Sequence, residues 1–347
     1  MYDSGLTIFI PTYNREVRLK ELLNSIFRQN IISKVKIIIA DNNSNYDIKQ
    51  SLETEYSVEI LNNVEIIKRP INVGLGLAIT IPFLVCKTEW LWILGDDDEV
   101  VGDINVLIKD LIHYKDYAYL KYNIANSGKH EDIDINGIDG FIEYYSSKKH
   151  STGDLVFISN CIFNLTHLNQ YLGLALMWSG TLIGHLIPVF WGLCENSIKC
   201  RMIDYDLVRY KPPTQGTGYD SIWVTLGISL IGDIEFPVSQ KLNSKIYQLV
   251  QYDCSHMQLI NDLMLIENTK RRKYIYSRIY NSCYNLGLKN KLFCSLFYIS
   301  CFFHINLAKY ILVTLNKTFN FIYSHFPKLK VFIKRKFPNN YRRFKFW

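Results

Sequence analysis

Three consecutive aspartates, Asp96, Asp97 and Asp98, follow the apolar run at 90–94 and a single glycine, Gly95. Carboxylates this close together repel one another, and partial burial raises the free energy of their charged forms further. A divalent cation relieves that repulsion, because Mg²⁺ and Mn²⁺ bind carboxylate oxygens and often substrate phosphates as well. Such an ion would offset the charge that develops on a leaving diphosphate. The other interpretation is a solvated turn, since aspartate is also favoured at the start of a helix.

The first hundred residues alternate short apolar runs with segments of helical periodicity. We predict strands at 6–10, 35–40, 64–68 and 90–94, and helices at 16–28, 46–56 and 77–85. Strands that alternate with helices imply a parallel sheet with right-handed crossovers. The predicted fold class is therefore α/β, with a mostly parallel sheet covered by helices on both faces.

Polar residues follow each of the four predicted strands. They are Thr12-Tyr13-Asn14-Arg15, then Asp41-Asn42-Asn43, then 69–72, and finally the aspartate triplet. In open α/β sheets, ligands bind beyond the carboxyl ends of the strands. We therefore expect these four loops to converge on one ligand site.

The rest of the chain divides by composition. Residues 101–250 are less regular, and we assign them to the second half of a domain spanning 1–250, whose first half is 1–100. The Pro- and Gly-rich segment 211–218 is predicted to be a mobile loop. Residues 251–347 are predicted to form a helical, basic and aromatic extension. Within it, the apolar stretch 292–308 is short for a spanning helix, which needs roughly 20 apolar residues, so we expect it to lie on the membrane.

The net charge of +7 is unevenly distributed. Residues 268–347 hold 17 of the 39 Lys and Arg and none of the 32 Asp and Glu, which leaves 22 basic and 32 acidic residues elsewhere. Such a basic segment favours contact with anions, here an anionic membrane surface. No nucleic-acid motif accompanies it, so we predict no nucleic-acid partner. The N-terminus has no secretory h-region and the cysteines have no framework spacing, which together favour a cytoplasmic protein with reduced thiols.

In order and in sequence, the four loops resemble those of the family-2 glycosyltransferases of the GT-A fold. The resemblance rests on Ile10-Pro11-Thr12-Tyr13-Asn14-Arg15, Asp41-Asn42-Asn43-Ser44, Asn72-Val73-Gly74 and Gly95-Asp96-Asp97-Asp98. It is specific over about residues 5–100 and diffuse to about 250. It implies a GT-A-like sheet and transfer of a sugar from a nucleotide-diphospho-sugar, with Mg²⁺ or Mn²⁺ as cofactor. Residues 1–100 would then form the donor half of the domain and residues 101–250 the acceptor half.

The same resemblance implies roles for individual residues. One set would bind the nucleotide-sugar, from base and ribose to diphosphate: Pro11, Thr12, Tyr13, Arg15, Asp41, Asn43, Asn72, Gly74 and Asp96. Asp97 would be the main metal ligand and, with Asp98, a catalytic residue. The family typically has Asp-x-Asp-Asp, whereas this chain has Gly95 in the first position. Which carboxylate meets the sugar and which the metal therefore stays open.

An inverting transfer also needs a general base for the acceptor hydroxyl. His185 is the candidate that we carry as a catalytic residue, and a hydrogen-bonded core histidine is its other interpretation. The carboxylate alternatives are Asp154, Glu195, Asp204 and Asp206, and the sequence does not separate them.

A narrower resemblance, to bacterial O-antigen transferases of the abequosyltransferase type, rests on Gly95, the stretch 153–159 and Gly184-His185. It implies transfer of a deoxyhexose such as abequose to a polyprenyl-diphosphate-linked saccharide in lipopolysaccharide synthesis. The enzyme would then lie peripherally on the cytoplasmic face of the inner membrane. The alternative is a non-catalytic protein of the same fold that binds a membrane or nucleic acid.

Overall fold

The computed structural model describes residues 4–127, 129–146, 152–212, 221–250, 274–275 and 277–278. The chain divides into two compact units, Met1–Gly218 with Leu230–Tyr252, and Tyr219–Ser229 with Asp253–Trp347. The predicted boundary at residue 250 remains a prediction. Most of the predicted extension, including 292–308, and the predicted loop beyond Pro212 lie outside the described residues.

The described strands form one mixed sheet in the order β3-β2-β1-β4-β8-β6-β9-β5, with β7 also paired to β9. Strands β1 to β4 are parallel, β8 is antiparallel to β4 and β6, and β9 is parallel to β6. The predicted α/β class is confirmed. The strands are β1 (Leu6–Thr12), β2 (Lys36–Asp41), β3 (Val64–Lys68), β4 (Trp90–Ile93), β5 (Glu99–Val100), β6 (Tyr119–Ile124), β7 (Ile133–Asn136), β8 (Cys161–Asn164) and β9 (Lys199–Arg209).

Most of the described helices are short, and within the described residues no helix is both long and apolar enough to cross a membrane. Tight 3-10 turns occur at Ile158–Asn160, Asn169–Tyr171, Ser179–Thr181, Gly184–Leu186 and Leu230–Asp233. The α-helices are α1 (Glu16–Phe27), α2 (Ile48–Glu53), α3 (Val58–Leu61), α4 (Gly74–Thr80), α5 (Pro82–Val85), α6 (Ile104–His113), α7 (Gly137–Ser146), α8 (Thr152–Val156), α9 (Leu172–Met177), α10 (Ile187–Cys194), α11 (Ser221–Ser229) and α12 (Gln240–Val250).

Apolar side chains pack on both faces of the sheet because successive residues of a strand point to opposite sides. On one face, alternate residues of β1, β2 and β4 join the apolar stripes of α1, α2 and α6 in a single core cluster. On the other face, Phe83 of α5 contacts Phe163 of β8, with the ring centroids 5.0 Å apart. This two-sided core holds the carboxyl ends of β1 to β4 in fixed positions.

The observed elements differ from the predicted ones where proline or a turn intervenes. The helix predicted at 77–85 is two helices, α4 and α5, and α5 starts at Pro82, which has no N–H to continue the α4 ladder. The helix predicted at 46–56 is the shorter α2, and α3 is a separate helix that begins beyond the predicted range. Strand β1 continues through Pro11 to Thr12, because beyond Phe9 it pairs with β2 alone and a missing donor is tolerated there.

Candidate functional site

The loops after β1 and β2 are joined by hydrogen bonds. The amide of Asn42 donates to the carbonyl of Thr12 over 2.8 Å. The amide of Asn14 donates to Ser44 Oγ over 2.9 Å. Asn14 and Asn43 have φ angles of 54° and 71°, a left-handed conformation that asparagine adopts more readily than most residues. The asparagines of these motifs therefore shape the two loops.

Asn42 connects the loop after β2 to the loop after β3. Its Nδ2 donates to Asn72 Oδ1 over 2.6 Å, and its Oδ1 accepts from the amide of Val73 at 3.0 Å. Asn72 Oδ1 also accepts from the amide of Gly74 at 2.8 Å. Gly74 has φ +78°, which favours glycine, while a Cβ there would meet nothing within 4 Å among the described residues. Sequence reasoning had included Asn43 and not Asn42, although Asn42 makes the cross-loop contacts.

Arg15 and Thr12 join the loop after β1 to the aspartate triplet. Arg15 Nη1 lies 2.9 Å from Asp96 Oδ1 and 2.8 Å from Asp97 Oδ2. Thr12 Oγ1 donates to Asp96 Oδ2 over 2.7 Å. The four loops thus form one hydrogen-bonded polar edge, as predicted, and binding of a ligand at this edge stays a prediction.

The three aspartates have different surroundings. Asp96 and Asp98 are buried, whereas Asp97 keeps 17% of its side-chain surface exposed. Asp98 Oδ2 accepts a hydrogen bond from Ser159 Oγ at 2.6 Å. Asp98 Oδ1 is buried and receives no hydrogen bond of ordinary geometry from the described residues. Ser159 was not among the predicted site residues, although the stretch 153–159 had been singled out by its resemblance.

Burial changes the protonation of two members of the triplet. It raises the pKa of Asp96 to about 6, against the opposing effects of Arg15 and Thr12. It raises the pKa of Asp98 to about 7, and the hydrogen bond from Ser159 and an interaction with the backbone of Lys211 oppose this shift. A bound cation would favour the ionised form of both groups.

The triplet meets the minimum that a hard divalent cation requires of a protein. Mg²⁺ usually takes one or two protein carboxylates together with substrate phosphates. Asp97 is partly exposed, and Asp98 Oδ1 is a buried acceptor that receives no hydrogen bond of ordinary geometry in the described part of the chain. Nowhere among the described residues are three or more His, Cys, Asp or Glu side chains grouped to hold a metal on their own. The donor set therefore fits an ion that is shared with a bound diphosphate.

The remaining predicted donor residues lie on the same edge. Tyr13 is 44% exposed. Asp41 is buried, and its Oδ1 accepts from the amide of Ser44 at 2.7 Å. Asn43 is exposed, and Pro11 lies within β1, paired with Ala40 of β2. Their contacts with a nucleotide stay predictions.

His185 lies in the core, 1% exposed, with its ring centroid 6.2 Å from that of Phe163. Burial lowers the pKa of His185 to about 3, with a further lowering by the charge of Lys121 and a partial offset from the backbone of Val156. Its ring nitrogens have no hydrogen bond of ordinary geometry to any described residue. The side chain is therefore neutral and enclosed, and its role as a base stays a prediction.

The carboxylate alternatives are engaged elsewhere in most cases. Asp154 is buried beside His130 and accepts from Asn160 Nδ2 at 3.2 Å. Glu195 accepts from Tyr171 Oη at 2.6 Å. Asp204 accepts from the Asn123 side chain at 2.8 Å. Asp206 Oδ1 is buried without a hydrogen-bond partner among the described residues.

Comparison with known families agrees with this geometry. Residues 7–165 match the family model described as glycosyl transferase family 2. The match begins in β1 and ends just beyond β8, so it includes all four loops and the stretch containing Ser159. Over residues 7–165, slightly less than half of the chain, the sequence is therefore similar to family-2 glycosyltransferases, and the mixed α/β fold matches the GT-A fold.

One characterised relative shows similarity over a part of its sequence. The abequosyltransferase RfbV of Salmonella typhimurium is 26% identical over 119 residues, which cover 33% of this chain and 34% of RfbV. The match therefore spans about a third of the length of that relative.

Solved structures share the fold. That of S. aureus TarS 1–349 has a TM-score of 0.51 at 14% identity and covers 80% of this chain and 88% of TarS 1–349. Its complex with UDP-GlcNAc has a TM-score of 0.54 at 12% identity and covers 87% of this chain and 88% of that one. At such low identity, the likeness concerns the fold alone.

Proposed function

We propose that this protein transfers one sugar from a nucleotide-diphospho-sugar to the hydroxyl of a lipid-linked saccharide. The observation that carries the proposal is the hydrogen-bonded edge formed by the four strand-end loops, with Arg15 between two aspartates of the triplet. Such an edge offers carboxylate and amide oxygens that can accept hydrogen bonds from the hydroxyls of a nucleotide. It also offers the guanidinium group of Arg15, which can bind phosphate.

The residues of the proposed donor site differ in the part of the nucleotide that their chemistry suits. Asp41 and the Asn42–Asn72 pair offer hydrogen bonds to a base and ribose. Arg15 presents a guanidinium group, which suits phosphate oxygens because its charge is permanent and its donors form a planar fork. That TarS, which has the same fold, was crystallised with UDP-GlcNAc supports a nucleotide-sugar at this edge.

We propose Mg²⁺ or Mn²⁺ as the cofactor, held by Asp97 and Asp98 together with the diphosphate of the donor. When bound, the ion would offset the charge on the leaving diphosphate. Asp96 is buried and paired with Thr12 and Arg15, so its part in this scheme is to hold Arg15 beside Asp97.

The acceptor is proposed to be a polyprenyl-diphosphate-linked saccharide of a surface polysaccharide, such as an O-antigen. Two observations support this class of acceptor: the distant similarity to an abequosyltransferase and the basic segment 268–347. Both a lipid diphosphate and an anionic leaflet would attract such a segment. We accordingly propose peripheral binding at the cytoplasmic face of the inner membrane, with a dideoxyhexose such as abequose as one candidate sugar.

Thermal unfolding of the full-length protein with UDP, GDP, CDP or dTDP, each with and without Mn²⁺, tests the donor site. Ligand at about 100 times its dissociation constant adds roughly 2.7 kcal/mol to the free energy of unfolding, which corresponds to a shift of several degrees. A shift that requires both Mn²⁺ and one of the nucleotides is expected. No shift with any nucleotide would contradict the proposed donor site.

Vesicle sedimentation tests the acceptor side separately. The full-length protein is expected to sediment with vesicles containing anionic phospholipid, to release them as salt is raised, and to stay in solution with zwitterionic vesicles. Equal binding to double-stranded DNA would instead favour the nucleic-acid alternative.

A further inference from the structure

A single hydroxyl, that of Ser159, joins the end of β4 to the third aspartate of the triplet. The amide of Gly95 donates to Ser159 Oγ over 2.9 Å, and Ser159 Oγ donates to Asp98 Oδ2 over 2.6 Å. A Cβ at position 95 would lie 2.8 Å from Asp98 Oδ2 and 3.2 Å from Ser159 Oγ. Glycine at 95 is therefore the residue that leaves room for this arrangement.

Ser159 is itself fixed by the core. Trp92 Nε1 donates to the carbonyl of Ser159 over 2.7 Å. On either side of Ser159, Lys121 Nζ donates to the carbonyl of Phe157 over 3.1 Å and to Asn160 Oδ1 over 2.7 Å. Trp92, Lys121, Ser159 and Asn160 are all fully buried. A hydroxyl held in this way has little freedom to move, which is what a residue that orients another side chain requires.

We propose that Ser159 is a positioning residue for Asp98 in cation binding. Ser159 occupies Oδ2 of Asp98, and Oδ1 is left as a buried acceptor that receives no hydrogen bond of ordinary geometry from the described residues, although the backbone of Lys211 is close enough to lower the pKa of Asp98. With the carboxylate held by Oδ2, Oδ1 is the atom available to a cation. This inference rests on the proposed function. It adds Ser159, which precedes β8 on the side of β4 opposite to β1. Ser159 contacts Gly95, the position where the family pattern has an aspartate.

The test measures Mn²⁺ affinity of the full-length protein by electron paramagnetic resonance, with Mn²⁺ alone and with Mn²⁺ plus UDP, GDP, CDP or dTDP. Ser159→Ala is expected to weaken Mn²⁺ binding about 10- to 100-fold, the usual effect of removing a group that orients a metal ligand. A purely structural serine would change the unfolding midpoint and leave the Mn²⁺ affinity as it is.

Ser25 provides the matched control. It is a buried serine whose Oγ donates to the carbonyl of Leu22 over 2.6 Å and accepts from the amide of Val100 at 3.1 Å. Ser25→Ala thus removes the same kind of double hydrogen bond, which meets the backbone two residues beyond Asp98 and contacts no carboxylate of the triplet. It is expected to lower the unfolding midpoint to a similar extent with no change in Mn²⁺ affinity.

Gly95→Ala tests the same contact from the other side and remains informative if Ser159→Ala does not fold. Its methyl group would displace Asp98 Oδ2, so Mn²⁺ binding is expected to weaken. The variant with both Ser159→Ala and Gly95→Ala should lose less Mn²⁺ binding free energy than the two single variants lose in sum. Wild-type affinity in both Ser159→Ala and Gly95→Ala would overturn the role of Ser159 alone. A wild-type protein that binds no Mn²⁺ with any of the nucleotides would overturn the inference together with the proposed metal site.

Discussion

Arg15 Nη1 lies 2.8 Å from Asp97 Oδ2, so the loop after the first strand is tied to the loop after the fourth. The same nitrogen lies 2.9 Å from Asp96 Oδ1. One guanidinium group therefore offsets repulsion between two of the three neighbouring aspartates. Because Asp97 is the most exposed of the three, its charge can be removed with the least disturbance of the fold.

Asp97→Asn is expected to abolish sugar transfer and the Mn²⁺-dependent thermal shift with nucleotide, because it removes the proposed metal ligand and keeps the shape of the side chain. The free energy of unfolding should change by less than about 1 kcal/mol, since the ion pair is partly exposed. Nucleotide-dependent unfolding with and without Mn²⁺ measures both effects. Asp103→Asn is the control and should behave as wild type. Asp103 is the exposed N-cap residue of α6, a position where asparagine caps as well as aspartate. An Mn²⁺-dependent shift retained in Asp97→Asn would place the ion elsewhere.

Arg15→Gln is expected to lower the free energy of unfolding by about 1 to 3 kcal/mol, because buried Asp96 loses the guanidinium group that is paired with it. Arg15→Lys should recover part of that loss, since a single nitrogen makes both contacts. Chemical denaturation of the two variants, and of Arg15→Gln combined with Asp97→Asn, measures the coupling. Strictly additive effects of Arg15→Gln and Asp97→Asn would show that the pair contributes nothing to stability.

The pH dependence of stability should differ between wild type and Asp98→Asn. Burial raises the pKa of Asp98 to about 7 in the folded protein, so the folded state binds this proton more tightly than the unfolded state. The wild-type free energy of unfolding therefore falls as pH rises from about 4 to about 7, through this group. Asparagine does not ionise. The free energy of unfolding of Asp98→Asn, relative to that of wild type, should therefore rise by on the order of 2 kcal/mol between pH 5 and pH 8.

His185 acts in the opposite direction, since its lowered pKa makes folding less favourable as pH falls below its ordinary range. That contribution is common to wild type and Asp98→Asn and cancels in their difference. Asp103→Asn is again the control: the backbone amide of Asn105 lowers the pKa of Asp103, so its difference from wild type should be flat above pH 5. An equally flat difference for Asp98→Asn would show that its carboxyl group is not shifted.

Lys121→Met is expected to lower the free energy of unfolding by about 3 to 5 kcal/mol, because it leaves buried acceptors without a donor. Lys121 is fully buried, and its Nζ also donates to the carbonyl of Asp154 over 2.6 Å. Urea denaturation measures the loss. Lys199→Met, at an exposed position of β9, is the control and should stay within about 0.5 kcal/mol of wild type. Equal, small losses in both would mean that the Lys121 network adds little to stability.

Gly76→Ala is expected to destabilise the protein by about 1 to 3 kcal/mol, because its Cβ would lie 2.1 Å from the carbonyl oxygen of Ser179. Helix α4 and the 179–181 turn would have to separate. Gly173→Ala is the matched control, in α9, where a Cβ would meet nothing within 4 Å among the described residues. It should stabilise the protein by about 0.5 to 1 kcal/mol through helix propensity. Thermal unfolding of the two variants separates crowding from the general effect of replacing glycine.

The sequence by itself determined the parallel half of the sheet and the four loops at its edge. Runs such as Val64–Lys68 fix a strand locally, and the polar residues that follow each run fall at one edge because parallel strands share their direction. The same local signals placed Thr12, Arg15, Asp96 and Asp97 at the site, and the structure brings their side chains into contact.

Only the tertiary structure decided which groups surround the triplet from the second half of the chain. Ser159 is 64 residues from Gly95 in sequence, and its hydroxyl reaches the site because β8 pairs antiparallel with β4. His185 is enclosed in the core for the same kind of reason, by packing against elements distant in sequence. Hydrophobic periodicity specifies which face of an element is buried and leaves open against what it packs. The order of β8, β6 and β9 therefore had to come from the fold, and with it the partner of Asp98.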